Sequence, residues 1–160
     1  MILHTSGIVC SKGAGGFAGI IFHNGKTLRM TVGQGKNVTK SQMELYGVLE
    51  GLKLALINLQ PNDIIQLFTD SKFVSEEYLK IPAYRRNMYA GTKSPMIVRE
   101  LHEVMKLAGD KLFVDHESLG EEDLVNHIHK AAEIARRLEL SDYAYNPDTP
   151  ENIIRGVQLK

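Results

Sequence analysis

Residues 64–71 read Ile64-Ile65-Gln66-Leu67-Phe68-Thr69-Asp70-Ser71, an apolar run closed by an acid and a serine. Its length and its β-branched and aromatic content match a buried strand, the kind covered on both faces of a sheet. On its N-terminal side Leu45, Val48, Leu49, Leu52, Leu56 and Leu59 recur at helical spacing, and Gln60-Pro61-Asn62-Asp63 ends that helix. On its C-terminal side Ser71 opens a short helix that runs to about Leu79. A strand set between two helices implies crossover connections, and crossovers imply parallel neighbours.

Further out, the chain begins differently. Residues 2–10, 17–23 (FAGIIFH) and 26–32 (KTLRMTV) read as strands, with the hairpin signal Asn24-Gly25 between the second and third. That opening is antiparallel. Ser41 and Glu44 form an S-x-x-E capping pattern at the start of the long helix. Residues 80–94 are irregular, basic and aromatic. Ser94-Pro95 then starts a helix whose inward face is Ile97, Leu101, Val104 and Ala108, with Gly109 as its stop. Residues 111–115 form a fifth strand, and a last helix covers 121–138 with Leu124, Ile128, Ala131, Ala135 and Leu138 inward. The order βββαβα(α)βα predicts an α/β fold: a five-stranded mixed sheet, three strands antiparallel and the rest parallel, flanked by helices. One domain is expected over 1–138, followed by a polar, extended or mobile tail over 139–160.

Composition narrows the function classes. A chain of 160 residues with 43% hydrophobic and 24% charged residues can bury one sizeable core. Nineteen basic residues balance nineteen acidic ones, so any attraction to nucleic acid must come from a local patch. The single cysteine, Cys10, excludes an internal disulfide and fits a reducing, cytoplasmic setting. No signal-peptide pattern opens the chain, and no window approaches the roughly 18 apolar residues of a membrane helix, so no membrane partner is expected.

Several residues invite chemistry, each beside a plainer explanation. Gly13-Ala14-Gly15-Gly16-Phe17-Ala18 fits a loose dinucleotide pattern, but a hairpin follows where that motif needs a helix. Asp70 sits at a strand's C-terminal end, where sites gather in open α/β sheets, and a helix N-cap explains it equally well. Glu44 is either a site carboxylate or the far half of the capping box. His116 is a loop histidine, catalytic or merely solvated. His127 and His129, two apart on a helix, point to different faces and read as surface residues. Cys10 reads as a buried, inert thiol.

Taken in order, these motifs resemble the ribonuclease HI family across residues 1–138. The family's opening Thr-Asp-Gly and glycine-rich turn are matched by Thr5-Ser6-Gly7 and Gly13-Ala14-Gly15-Gly16-Phe17. Its Met-Glu-Leu is Met43-Glu44-Leu45, its Thr-Asp-Ser is Thr69-Asp70-Ser71 followed by Phe73-Val74, and its histidine loop and terminal helix are residues 116–136. The resemblance implies cleavage of the RNA strand of an RNA/DNA hybrid, with four carboxylates holding two Mg²⁺ ions about 4 Å apart. Glu44, Asp70 and His116 carry over.

Two family acids fall on Ser6 and Asn126. A hydroxyl and an amide oxygen remove two of four negative charges, and Mg²⁺ prefers anionic oxygens. The expected cofactor is therefore one weakly held Mg²⁺ or Mn²⁺ on Asp70 and Glu44, with Asp123, one turn before Asn126, as a substitute ligand. Two ions are expected only if ligands rearrange. The segment carrying Tyr84, Arg85, Arg86, Tyr89, Thr92 and Lys93 resembles the family's substrate-gripping protrusion, its cations taking phosphates and its tyrosines packing on sugars or bases, or else it is a solvated basic loop. Lys40, Ser41 and Gln42 stand where the family reads the minor groove, and Lys72 replaces an amide side chain. The expected function is that of a monomeric ribonuclease-HI-like protein acting on RNA/DNA hybrids or other structured nucleic acid, with weak or altered endonuclease activity. The alternative is a catalytically inactive nucleic-acid-binding or protein-interaction module of the same fold.

Overall fold

Strand β2 (Gly15–His23) carries large apolar side chains on both faces, and the sheet is covered on both sides accordingly. The computed structural model describes residues 1–24, 26–92 and 94–137, with the backbone alone at 26–28. In it β2 pairs antiparallel with β1 (Ile2–Val9) and with β3 (Lys26–Gly35). Strand β1 pairs parallel with β4 (Ile65–Thr69), which pairs parallel with β5 (Leu112–His116), giving the order β3-β2-β1-β4-β5. This is the mixed α/β sheet that the spacing predicts. Asn24, at the β2–β3 turn, takes the left-handed conformation (φ 52°) that such a hairpin needs.

The pleat sorts the core into two. Phe17 and Ile21 of β2 join Leu3 and Leu67 beneath helix α1 (Lys40–Asn58) and helix α4 (Pro95–Ala108), which packs on α1. Ala18, Ile20 and Phe22 point the other way, onto Ile128, Ala131, Ala132 and Ala135 of helix α5 (Glu122–Arg137). Each fully buried Leu, Ile or Phe contributes about 1.5–3 kcal/mol, so both faces drive folding. Two short helices, α2 (Lys72–Glu77) and α3 (Ile81–Tyr84), follow β4.

Helix starts differ from the sequence reading in ways that bear on the site. The N-cap of α1 is Thr39, whose side chain accepts from Gln42 N–H while the Gln42 side chain accepts from Thr39 N–H. Ser41 and Glu44 therefore do not form the capping box, because the helix begins before Ser41. Ser71 caps α2 through Val74 N–H, so Asp70 is not the cap. Residues 80–94, expected to be irregular, include α3 and single turns of 3₁₀ helix. Strand β5 ends on His116 rather than before it. Helix α4 follows prediction, with Pro95 in its first turn, Gly109 (φ 58°) at its end and Ile97, Leu101, Val104 and Ala108 buried. No described helix is long and apolar enough to cross a membrane. Leu138, Lys93 and the expected tail over 139–160 lie outside the described residues.

Candidate active site

The site forms where β1, the end of β4, the start of α1 and the face of α5 meet. Gly7 makes that convergence feasible: a Cβ there would lie 2.2 Å from Glu44 N and Met43 C, inside the backbone of α1. The missing side chain lets the helix press against β1 and brings Glu44 to the sheet.

Asp70 is 9% exposed, and its Oδ2 accepts from Gly7 N–H at 3.0 Å and from the fully buried Ser6 Oγ–H at 2.9 Å. Its Oδ1 is buried and has no hydrogen-bond partner. Ser6 Oγ also lies 3.0 Å from His129 Nδ1, and His129 Nε2 lies 2.9 Å from Glu117 Oε2. A continuous polar chain thus runs Asp70–Ser6–His129–Glu117.

Electrostatics follow from that enclosure. Burial, and then the negative charges of Asp70 and Glu117, push the Glu44 carboxyl up to about 7, with Lys40 at 3.7 Å opposing them. Burial pushes Asp70 up to about 6 against the hydrogen bonds from Gly7 and Ser6. Both acids are short of positive charge. Asp70, Glu117 and His129 each offer an atom to a group whose members lie within 4.8 Å of one another, an arrangement able to hold a metal ion.

The structure thus gathers Ser6, Glu44 and Asp70. It does not gather the others. His116 directs Nδ1 to Ser118 Oγ at 3.1 Å, while Asn126 and Asp123 are exposed on α5 and outside the ligand group. The reading of His129 as a surface residue needs correction. It is half-buried at the margin of the stripe formed by Ile128 and Ala132, whereas His127 is exposed. Glu117 also went unnoticed in the sequence. The helical phase of α5 carries the signal for His129, since Val125, His129 and Ala132 share one side; Glu117 has none beyond its place after His116.

Along the cleft, a groove of about 330 Å³ is lined by Ser41, Phe73, Glu77, Tyr84, Thr92 and Ser94, among others. The Tyr84 hydroxyl donates to Glu77 at 2.7 Å. Lys40, Lys72, Arg85 and Arg86 are exposed, and the Gln42 oxygen is taken by the cap. Tyr89, expected to pack on sugars or bases, is 4% exposed beneath α4, its hydroxyl bonded to His102. Cys10 is only half-buried, which corrects the buried reading, and the Lys12 amide, followed by the Ala14 backbone and the Arg136 charge, holds its thiol below the usual range.

Comparison with known proteins agrees with this architecture. No curated protein sequence matches the chain. Among solved structures, the prototype foamy virus protease–reverse transcriptase superposes with a TM-score of 0.70 at 16% identity, over 87% of this chain and 21% of that one. The chain thus spans about a fifth of the viral protein. RNase H1 from the archaeon Halobacterium salinarum gives 0.61 at 16% identity over 84% of this chain and 95% of its own. LC11-RNase H1, solved with an RNA/DNA hybrid, gives 0.62 at 14% over 84% and 94%. At such identities these likenesses establish the fold alone. The RNase H family profile matches residues 1–117, most of the chain, and with the β3-β2-β1-β4-β5 sheet it makes this chain a member of the RNase H family.

Proposed function

We propose that the chain is a ribonuclease-HI-like protein acting on RNA/DNA hybrids with weak or altered endonuclease activity. One observation carries the reading: at the centre of the cleft a serine hydroxyl donates a hydrogen bond to Asp70, in the place of a family carboxylate. The RNase H family is divalent-metal dependent, yet these residues do not fit a pair of Mg²⁺ ions. Ser6 faces Asp70 as a donor and Asn126 is exposed, so Asp70, Glu44 and Glu117 are left without the two family acids that would complete a two-ion set. At most one weakly held ion belongs to this reading, and no cleavage step is routed through a pair.

The hybrid would lie along the groove between Tyr84, Thr92 and Ser41, its phosphates within reach of Arg85, Arg86, Lys72 and Lys40. A second reading, a catalytically silent hybrid-binding module, is favoured by the loss of two family acids alongside an intact basic rim. A monomeric protein in a reducing, cytoplasmic setting completes the proposal, supported by Cys10 standing as a free thiol.

The test is binding of RNA/DNA hybrid against duplex DNA of the same sequence across a salt series, with products analysed in Mn²⁺ buffer. Preferential hybrid binding with a negative salt slope and slow or absent strand scission is expected. Equal, weak binding to both duplexes defeats the hybrid reading.

A further inference from the structure

We propose that Asp70, Glu117 and His129 form a binding site for a single divalent ion of the borderline class that takes nitrogen with oxygen, typified by Zn²⁺, rather than for Mg²⁺. The inference rests on the donor set alone and stands apart from any nucleic-acid partner.

The hydrogen-bond chain constrains the histidine. Ser6 Oγ carries one proton and donates it to Asp70 Oδ2. The contact at 3.0 Å between Ser6 Oγ and His129 Nδ1 is then made by the Nδ1–H donating to the serine. A neutral ring in that tautomer leaves Nε2 unprotonated, and Nε2 lies 2.9 Å from Glu117 Oε2. A lone pair and a carboxylate oxygen repel at that distance, so either a second ring proton or a cation must lie between them. Two further facts converge on the same spot. Glu117 Oε2 is buried and accepts no hydrogen bond, and Asp70 Oδ1, on a residue 9% exposed, has no partner either.

One cation accepting Nε2, Oε2 and Oδ1 satisfies all three atoms. One ligand atom from each of the three residues lies within 4.8 Å of the other two, so bonds of about 2.0–2.2 Å are reached by side-chain adjustment. An imidazole among the donors selects the class: Mg²⁺ and Mn²⁺ favour oxygen, whereas Zn²⁺ and Co²⁺ accept mixed sets. Ser6 becomes a positioning residue, fixing the tautomer of His129 through Nδ1 as outer partners do at histidine metal sites. Three protein ligands leave an open position for water or a phosphate oxygen.

The test is calorimetric titration of the chelator-stripped chain with Zn²⁺, Mn²⁺ and Mg²⁺, with Co²⁺ loading read by visible absorption. One site per chain is expected, with Zn²⁺ held at least tenfold more tightly than Mn²⁺ or Mg²⁺ and a ligand-field band for Co²⁺. His129→Ala and Glu117→Gln each weaken Zn²⁺ about 10–100-fold, whereas His127→Ala on the exposed face changes nothing. On Zn²⁺ addition the His129 Nε2 resonance shifts while Nδ1 keeps its proton. Mg²⁺ binding as tight as Zn²⁺, a His129→Ala chain with unchanged Zn²⁺ affinity, or a His129 ring doubly protonated in excess Zn²⁺ overturns the proposal. Hybrid binding is measured in parallel with chelator present, so loss of one property with the other retained identifies which reading fails.

Discussion

Asp70 is a buried acid whose charge is only partly met by Gly7 N–H and Ser6 Oγ–H. Burial pushes its carboxyl up from the ordinary 3.8 to about 6, so the folded chain holds this proton more tightly than the unfolded one. The ionised form therefore costs stability above about pH 6, and the cost disappears as pH falls towards 3.8. Asp70→Asn keeps the acceptor for Gly7 and removes the charge. Urea unfolding at pH 8 without metal is expected to show it on the order of 1–3 kcal/mol more stable, with the gap closing by pH 4. His4 has the opposite sign. It is 1% exposed, stacked on Phe68, with neither ring nitrogen hydrogen-bonded, and burial lowers its pKa from 6.5 to about 4. Protons favour the unfolded chain, so stability falls as pH drops from 6.5 to 4. In His4→Leu, melting curves across that window are expected to lose this slope; an unchanged slope would show that His4 is protonated in the fold. At this scale Asp70, Glu44 and Ser6 are legible in sequence through the short motifs Thr69-Asp70-Ser71, Met43-Glu44-Leu45 and Thr5-Ser6-Gly7. His129 and Glu117 are not, because their meeting depends on how α5 rolls against β1.

Helices position these residues through their first turns. Thr39 caps α1, and Thr39→Ala is expected to cost about 1 kcal/mol in chemical denaturation, while Ser41→Ala costs almost nothing. Equal effects would mean that the cap lies elsewhere. The contact of α1 with β1 is less forgiving. A methyl at Gly7 would meet helix backbone at 2.2 Å, which no side-chain rotation relieves. Gly7→Ala is expected to destabilise by about 2–4 kcal/mol and to move Glu44 away from Asp70. A neutral substitution would show that the two elements are loosely packed. Periodicity identifies α1 and α4 because leucines and valines mark one face, whereas cap positions slip by two residues because Thr39, Ser41 and Gln42 are all competent capping chemistry. The short helices of 78–87 escape pattern reading, since one turn carries no period.

The whole molecule combines a sheet buried on both faces with a polar seam where β1, β4 and α5 meet. The antiparallel opening and the parallel second half are readable from the hairpin at Asn24 and the helix–strand–helix alternation around Ile65, and the parallel pairing of β1 with β4 sets Ser6 beside Asp70, the residue that follows β4. Nothing in spacing tells how Ser6 and Asn126 set the charge of the cleft; on the proposed reading that follows from their neutral side chains. Restoring the acids should reverse the balance. Because Ser6 is fully buried 2.9 Å from Asp70, a further carboxylate there adds to the repulsion among Asp70, Glu44 and Glu117, so Ser6→Asp/Asn126→Asp is expected to melt lower in chelator and recover in Mg²⁺. The most direct test is cleavage of an RNA/DNA hybrid in Mg²⁺ by the chain as it stands and by that double substitution. Scission at least a hundredfold faster after restoration is the predicted result. Rapid cleavage by the chain with Ser6 and Asn126 in place would contradict the claim that its cleft is too neutral for a pair of ions.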